Sequence, residues 1–242
     1  MSRFYVLARP LAQTSFDLPD DCAHHAARVL RLCIDDVITL FNGDGGEWLA
    51  RITHIDRQRV RVFVERYLIV DRESALQTHL IQGISSGDRM DYTLQKAVEL
   101  GITHIYPVTC TRSVVRLRGE RASKKREHWQ QLVIAACEQC GRNTLPTVAD
   151  ITDLAECLSR QTAGVRIVLD PRAKRTLQHC SKPDSSVAVL VGPEGGFAVE
   201  ELDAALRCGF VAARLGPRIL RTETAGVVAI TAIQWLWGDL AI

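Results

Sequence analysis

The sequence predicts an α/β protein whose parallel sheet follows a smaller, all-β unit. Two observations in one stretch carry the first half of that expectation. Val187 to Val191 is an unbroken apolar run, as expected of a strand buried on both faces of a parallel sheet. The glycine loop Gly192-Pro193-Glu194-Gly195-Gly196 breaks it and helical spacing follows over Ala198 to Leu206. Run and break then recur as Phe210 to Leu215 and Gly216-Pro217. The third observation is that residues 1–72 read instead as short strands separated by polar turns.

In that first part Arg3 to Leu7 alternates weakly, and Asp36 to Phe41 runs into Asn42-Gly43-Asp44-Gly45-Gly46, a strong hairpin turn. Glu47 to Ile55 and Val60 to Val64 follow, parted by the polar turn Asp56-Arg57-Gln58-Arg59. One short helix, about Asp21 to Leu32, interrupts the strands. On it Val29, Leu30 and Leu32 would face the core, while His25, Arg28 and Arg31 would lie near one another. Such a set suits a small β-barrel and is too irregular for a sandwich. The polar junction Asp71-Arg72-Glu73-Ser74 is the expected boundary, giving domains over residues 1–72 and 73–242.

Beyond the junction, His79 to Ile84 reads as a strand and Met90 to Leu100 as a helix closed by Gly101. Ile102 to Pro107 is the next strand. Glu127 to Arg142 is the clearest amphipathic helix, with Trp129, Leu132, Val133, Ala136, Cys137 and Cys140 on one stripe. That stripe makes Cys137 and Cys140 core thiols. A structural zinc site needs two further ligands at suitable spacing and none is evident, so no metal is expected. Thr152 to Ser159 reads as a short helix. Val165 to Leu169 is a strand that ends in a third loop, Asp170-Pro171-Arg172-Ala173. The last helix begins after Arg221, with Thr222 and Glu223 at its N-terminus, where a hydroxyl and a carboxylate are favoured. Its apolar residues cover much of its circumference, so it belongs in the core or against a partner subunit.

The chain has 242 residues, 47% of them apolar, enough for one large domain or two modest ones. No apolar stretch approaches the length of a membrane span, and MSRFYVLARP lacks the long apolar region of a signal peptide. A cytoplasmic protein with no membrane partner and with reduced, buried cysteines is the expectation. The net charge of +2 announces no nucleic acid. The distribution says more: Arg far outnumbers Lys among the 30 basic residues, and no Lys occurs in residues 1–72. Arg offers a planar fork suited to phosphate oxygens. Arg112, Arg116, Arg118, Arg121, Lys124, Lys125 and Arg126 face a single acid, Glu120, in one run. That run is either a phosphate-binding strip or a solvated face.

Glycine loops at the carboxyl ends of neighbouring parallel strands form a ligand crevice. The first loop has neither the Lys and Ser/Thr of a P-loop nor dinucleotide spacing, and it carries the acidic Glu194. A carboxylate tolerates hydroxyls, an amine or a cation better than phosphate, so the crevice favours a cofactor without phosphates. LVGPEGGF (Leu190 to Phe197) and LGPRILRTETA (Leu215 to Ala225) resemble the two signature loops of the bacterial ribosomal RNA small subunit methyltransferase E family, of the SPOUT class. MDYTLQKAVELGI resembles the family's segment around Lys96 and Glu99, whose spacing also fits an exposed ion pair. Glu138, Gln139 and Arg142 match polar positions of the family.

The resemblance implies a SPOUT-type parallel sheet with a C-terminal trefoil knot behind a PUA-like β-barrel, a homodimer, and S-adenosylmethionine as cofactor. It implies methylation of uridine N3 in 16S ribosomal RNA, with the small ribosomal subunit as partner. The cofactor would lie against Leu169, Leu190, Gly192, Glu194, Gly196, Leu215, Gly216, Ile219 and Leu220. RNA contacts would come from Arg9, His25, Arg31, Arg112, Arg116, Arg118, Lys124, Lys125, Arg142 and Arg172. Uridine N3 holds an imide proton and attacks poorly until that proton leaves, so the site must orient the base, take the proton and stabilise charge on the uracil oxygens. Arg221 is the candidate charge-stabilising donor and Glu223 a candidate base. Methyl transfer from a sulfonium needs no Lewis acid. The alternatives are ribose 2′-O methylation of tRNA by another SPOUT branch, and a non-catalytic RNA-binding ribosome-assembly protein.

Overall fold

The computed structural model describes residues 2–56 and 59–240. They form two compact units, the first from residues up to 73 together with 137–145, the second from residues 74–136 together with those from 146 onward.

The first unit is a five-stranded sheet in the order β1-β3-β4-β5-β2, formed by β1 (Arg3–Tyr5), β2 (Thr14–Asp17), β3 (Val37–Phe41), β4 (Glu47–Ile55) and β5 (Val60–Leu68). β1 pairs with β3 in parallel and the remaining pairs are antiparallel. Alternate residues of β4 and β5, among them Trp48, Ala50, Ile52, Val60, Val62 and Val64, turn into one core with Phe4, Ile38 and Leu40. The period of two puts these side chains on one face. In the turn expected at 56–59, Arg57 and Gln58 lie outside the described residues, and Asp56 Oδ1 accepts the Arg59 amide at 2.7 Å. β2 has too little alternation to be read from sequence.

The helix expected over Asp21 to Leu32 is shorter and changes type. It is α1 (Asp20–His24) continued by one π turn over His25–Val29, and Arg31 leaves it at φ 53°. The wider π turn rotates the face that meets the core. Ala23 and Ala26 therefore pack inward with Leu32 at the margin, while Val29 and Leu30 stand in solvent. Arg31 has left the helical row expected to hold His25, Arg28 and Arg31 together.

Inside the same unit, Glu47 accepts Arg3 Nη1 at 2.6 Å, Arg72 Nη1 at 3.1 Å and Asn143 Nδ2 at 3.2 Å. Burial pushes its pKa up, but the bonds from Arg72, Arg3 and Asn143 outweigh that and hold it below the ordinary carboxylate value.

The second unit holds seven strands, every pair parallel, in the order β12-β10-β11-β6-β7-β8 with β9 also on β7. These are β6 (Gln77–Gly83), β7 (His104–Thr109), β8 (Thr147–Val148), β9 (Thr152–Asp153), β10 (Val165–Leu169), β11 (Ser186–Val191) and β12 (Val211–Ala213). Its helices are α2 (Asp88–Glu99), α4 (Leu154–Arg160), α5 (Val199–Arg207) and α6 (Thr222–Trp237), together with α3 (Glu120–Cys140) as far as Ala136, the last turn of which belongs to the first unit. β11 is buried at every position from Val187 to Val191, the signature of a strand covered on both faces. The strands before the two glycine loops are not neighbours as the sequence led us to expect, because β10 lies between β11 and β12. α3 begins at Glu120, so the basic run is a loop up to Gly119 and a helix thereafter. Among the described residues no helix is long and apolar enough to cross a membrane.

Candidate functional site

The carboxyl ends of β10, β11 and β12 lie side by side and release three loops, residues 170–173, 192–197 and 214–221. With the first turns of α2 and α6 they wall a cavity of about 570 Å³. Leu169, Gly192, Glu194, Gly196, Leu215, Gly216, Ile219 and Leu220 all line it, as do Arg221 and Glu223. Gly196 and Gly216 take φ 67° and 73°, and a Cβ at either would meet nothing within 4 Å. Glycine is used there for the left-handed turn, and the turn leaves the wall open. Leu190 is the exception among the expected cofactor residues. It is fully buried in the core with Ile81, Val168 and Ala188, and Val191 lines the cavity in its place. Strand alternation sends adjacent side chains to opposite faces.

The first glycine loop is fastened by its acid. Glu194 Oε1 accepts the Ser86 amide at 2.7 Å, the Ser86 hydroxyl at 2.8 Å and Arg89 Nη1 at 2.9 Å. Burial raises its pKa, but the bonds from Ser86 and Arg89 outweigh this and the net shift is downward. Glu194 is thus an ionised loop anchor that still borders the cavity. Ser86 and Arg89 show no motif in the sequence. Their signal is only that an acid inside a glycine loop needs donors.

The second loop ends at α6. Arg221 is its N-cap residue, with extended backbone and a carbonyl that accepts the Ala225 amide at 2.8 Å. The Thr222 hydroxyl does not cap the helix as expected. It donates to the Gly192 carbonyl at 2.6 Å. Glu223 Oε1 stands 3.9 Å from Arg89 Nε, and its Oε2 is buried with no hydrogen-bond partner among the described residues. A buried carboxylate oxygen without a donor is costly, and a ligand N–H or cation would relieve it.

Six arginines line this cavity: Arg89, Arg112, Arg172, Arg214, Arg218 and Arg221. Arg112 donates to the Gly195 carbonyl at 3.3 Å and Arg172 to Asp170 at 3.2 Å. Among the described residues the guanidinium groups of Arg214, Arg218 and Arg221 meet no acid and no carbonyl. Sequence reasoning missed Arg89, Arg214 and Arg218.

The other residues expected to hold RNA separate into two groups. Arg9 and Arg31 are exposed, and His25 is half-buried with its ring edge-on to Phe4 at 5.9 Å. Arg116 and Arg118 are exposed and line a second cavity of about 710 Å³, which also holds Asp153, Glu156, Glu200 and Glu201. Lys124 is exposed and lies 3.5 Å from Glu120. Lys125 is taken up by the fold. Asp91 receives Lys125 Nζ at 3.3 Å, Trp129 Nε1 at 3.0 Å and His128 Nε2 at 2.8 Å, and the ammonium lies over the Trp129 ring. Arg142 is likewise taken up by the fold. It is 5% exposed and its Nε donates to Glu73 at 2.9 Å, within the first unit. Lys96 and Glu99 form an exposed ion pair at 2.7 Å. Glu138 accepts the Tyr5 amide at 2.9 Å, and burial raises its pKa.

The walls fit a cofactor that has an apolar ring system and a cation. Leu169, Val191, Leu202, Ala213 and Leu220 supply apolar surface, Glu223 supplies an unpaired acceptor, and the volume falls in the range of small-molecule pockets. A crevice at the ends of parallel strands, rimmed by arginines, suits a small cofactor and a phosphate-bearing substrate, and by its family the chain is an RNA methyltransferase. Residues 72–234 match the RNA methyltransferase domain family and residues 18–65 the RNA methyltransferase PUA domain.

Within that class the chain belongs to the ribosomal RNA small subunit methyltransferase E family. The enzyme of that name from Buchnera aphidicola is 34% identical over 92% of this chain and 88% of its own length. The Neisseria gonorrhoeae enzyme, solved with S-adenosylmethionine bound, is 42% identical with a TM-score of 0.93 over 99% of both chains. A methyltransferase from Legionella pneumophila, solved with the same cofactor, is 36% identical with a TM-score of 0.95 over 98% of both.

Proposed function

We propose that this protein transfers the methyl group of S-adenosylmethionine to N3 of a uridine in 16S ribosomal RNA. The observation that carries the reading is the pairing, on one cavity wall, of an unsatisfied buried carboxylate oxygen on Glu223 with an unpaired guanidinium on Arg221. Bound in the cavity, the cofactor supplies an electrophilic methyl group on a sulfonium. Glu223 Oε2 accepts the N3 proton, and the Arg221 fork donates to the uracil oxygen on which charge develops. The three loops exclude water and hold the base in line. Arg112 and Arg172 at the cavity, with Arg116, Arg118 and Lys124 beyond it, hold phosphates of the small-subunit RNA. In the first unit Arg9, His25 and Arg31 do the same.

The reading treats residues 1–72 as an RNA-holding domain and residues 73–242 as the methyltransferase domain, its three loops closed into a trefoil knot. It places a second copy of the chain on the apolar face of α6, where Val228, Trp235 and Leu236 are exposed. Its compartment is the cytoplasm, where ribosomes assemble. The test is mass spectrometry of 16S ribosomal RNA from cells with and without the protein. A 3-methyluridine that vanishes without it and returns with wild-type but not Glu223→Gln protein is expected. A lost ribose 2′-O-methyl group, or an unchanged modification profile, would overturn the reading.

A further inference from the structure

Gln82 closes β6 from inside the sheet and is fully buried, yet it belongs to neither glycine loop. Its amide nitrogen makes two bonds, one to the Gly83 carbonyl at 3.0 Å and one to Thr222 Oγ1 at 3.0 Å. Thr222, 8% exposed, donates its own hydroxyl hydrogen bond to the Gly192 carbonyl at 2.6 Å.

The direction of this relay is fixed by its chemistry. The Gly83 carbonyl can only accept, so the nitrogen of the Gln82 amide must face it. That same nitrogen then donates to Thr222, whose oxygen is thereby an acceptor and whose single proton is left for Gly192. Gln82 Oε1 remains buried without a partner among the described residues, beside the place a Cβ on Gly226 would take, 3.4 Å away. A buried glutamine that tolerates an orphaned oxygen to keep its nitrogen in place marks a constraint stronger than packing.

The relay spans the two signature loops. Gly192 opens the first, directly after Val191, which pairs with Gln82 in the sheet. Thr222 sits between Arg221 and Glu223. We propose that Gln82 and Thr222 are positioning residues for methyl transfer. Together they set the spacing between the loop at Gly192–Gly196, against which the cofactor lies, and the start of α6, which carries the residues that act on the base. The inference rests on the functional reading above and adds to it two residues that act by holding the loops, Thr222 from the cavity wall and Gln82 from the core.

The test uses Thr222→Val, which keeps the shape and removes the hydroxyl, Thr222→Ser, which keeps the hydroxyl, and Gln82→Met. Calorimetry gives S-adenosylmethionine affinity, and single-turnover methylation of 16S ribosomal RNA at saturating cofactor gives the rate. Thr222→Val should weaken cofactor binding or slow the saturated rate by about tenfold, as loss of one buried bond with an orphaned carbonyl implies. Thr222→Ser should recover most of that loss, and RNA affinity should stay at the wild-type value. Because Gln82→Met breaks the same relay, the double variant should be no worse than the poorer single one.

Wild-type affinity and rate in Thr222→Val would overturn the proposal. So would an equal loss in Thr222→Ser, or losses that multiply in the double variant. If Thr222→Val does not fold, Gln82→Met decides from the other end of the relay. A wild-type protein that binds no S-adenosylmethionine overturns the functional reading itself.

Discussion

Replacing Arg221 by alanine isolates chemistry from folding. The side chain is exposed at the cavity wall and, among the described residues, makes no ion pair or side-chain hydrogen bond, so its loss should leave the melting temperature within the small range of ordinary surface substitutions. Its effect on the reaction is larger. A full charge about 4 Å away in an environment of effective dielectric near 20 interacts by about 4 kcal/mol. The open rim screens part of that, leaving roughly 3 kcal/mol, or about a hundredfold in rate, which is the scale found for single oxyanion donors. The assay is single-turnover methylation of 16S ribosomal RNA with RNA and cofactor both saturating. Arg221→Lys keeps the charge, loses the planar fork and should recover only part of the rate. Raising the pH should partly rescue Arg221→Ala, because more of the uracil is then already deprotonated. An Arg221→Ala protein that methylates at the wild-type rate at neutral pH would refute the assignment.

Gly196→Arg, placed at φ 67° on the open wall, and Leu220→Asp, on the apolar side, should each abolish calorimetric binding of S-adenosylmethionine; unchanged affinity in both would remove the cofactor from this cavity. Neutralising Arg116 and Arg118 should flatten the salt dependence of RNA binding by roughly one unit of slope per lost phosphate contact, and adding Lys125→Gln should not flatten it further, because Asp91 already holds that ammonium. Arg142→Ala should cost about 3 kcal/mol or more in urea unfolding by stranding Glu73, with the RNA salt slope unchanged; a flattened slope at wild-type stability would return Arg142 to the RNA interface.

Burial pushes the imidazoles of His79 and His104 below the ordinary value, His104 also through His79, whose ring centroid lies 4.6 Å away. The unfolded chain therefore binds protons at higher pH than the folded one, so their contribution is complete above about pH 6.5 and is lost as pH falls through the lowered folded values. Melting temperature should drop on acidification through that window and drop less in His104→Phe; identical pH profiles would refute the sign.

The parts of the fold that were legible in the sequence are those where one period dominates. β10 runs over the expected Val165–Leu169, and β4 over the expected Glu47–Ile55, because continuous or alternating apolar residues leave one solution. The π turn after His24 was not legible, since helical periodicity assumes a fixed rotation per residue. Strand order was not legible either. The sequence places β11 and β12 consecutively, and only their pairings with β10 show that a third strand separates the two glycine loops. In the site, the glycines could be read from their residue type, whereas Ser86, Arg89 and Gln82 act through partners far along the chain and have no local signature.

Charge is the case in which composition misleads most. A net charge of +2 argues against a polyanionic substrate, and the densest basic run argues for residues 112–126 as its seat. The ion pairs redistribute both signals. Arg3, Arg72 and Arg142 are held by Glu47 and Glu73, Arg51 by Glu65, Arg61 by Asp17, Lys125 by Asp91 and Arg126 by Asp150. A phosphate contact at any of those cations, as at Arg172 beside Asp170 and Lys124 beside Glu120, would first have to displace a carboxylate. Arg214, Arg218 and Arg221 are left beside the cavity without such partners among the described residues, on a short loop, residues 214–221, that carries no acid. Counterion release scales with the cations that phosphates can reach, and not with the total. A near-neutral protein can therefore present an excess of positive charge around one cavity, where six arginines stand beside Asp170, Glu194 and Glu223.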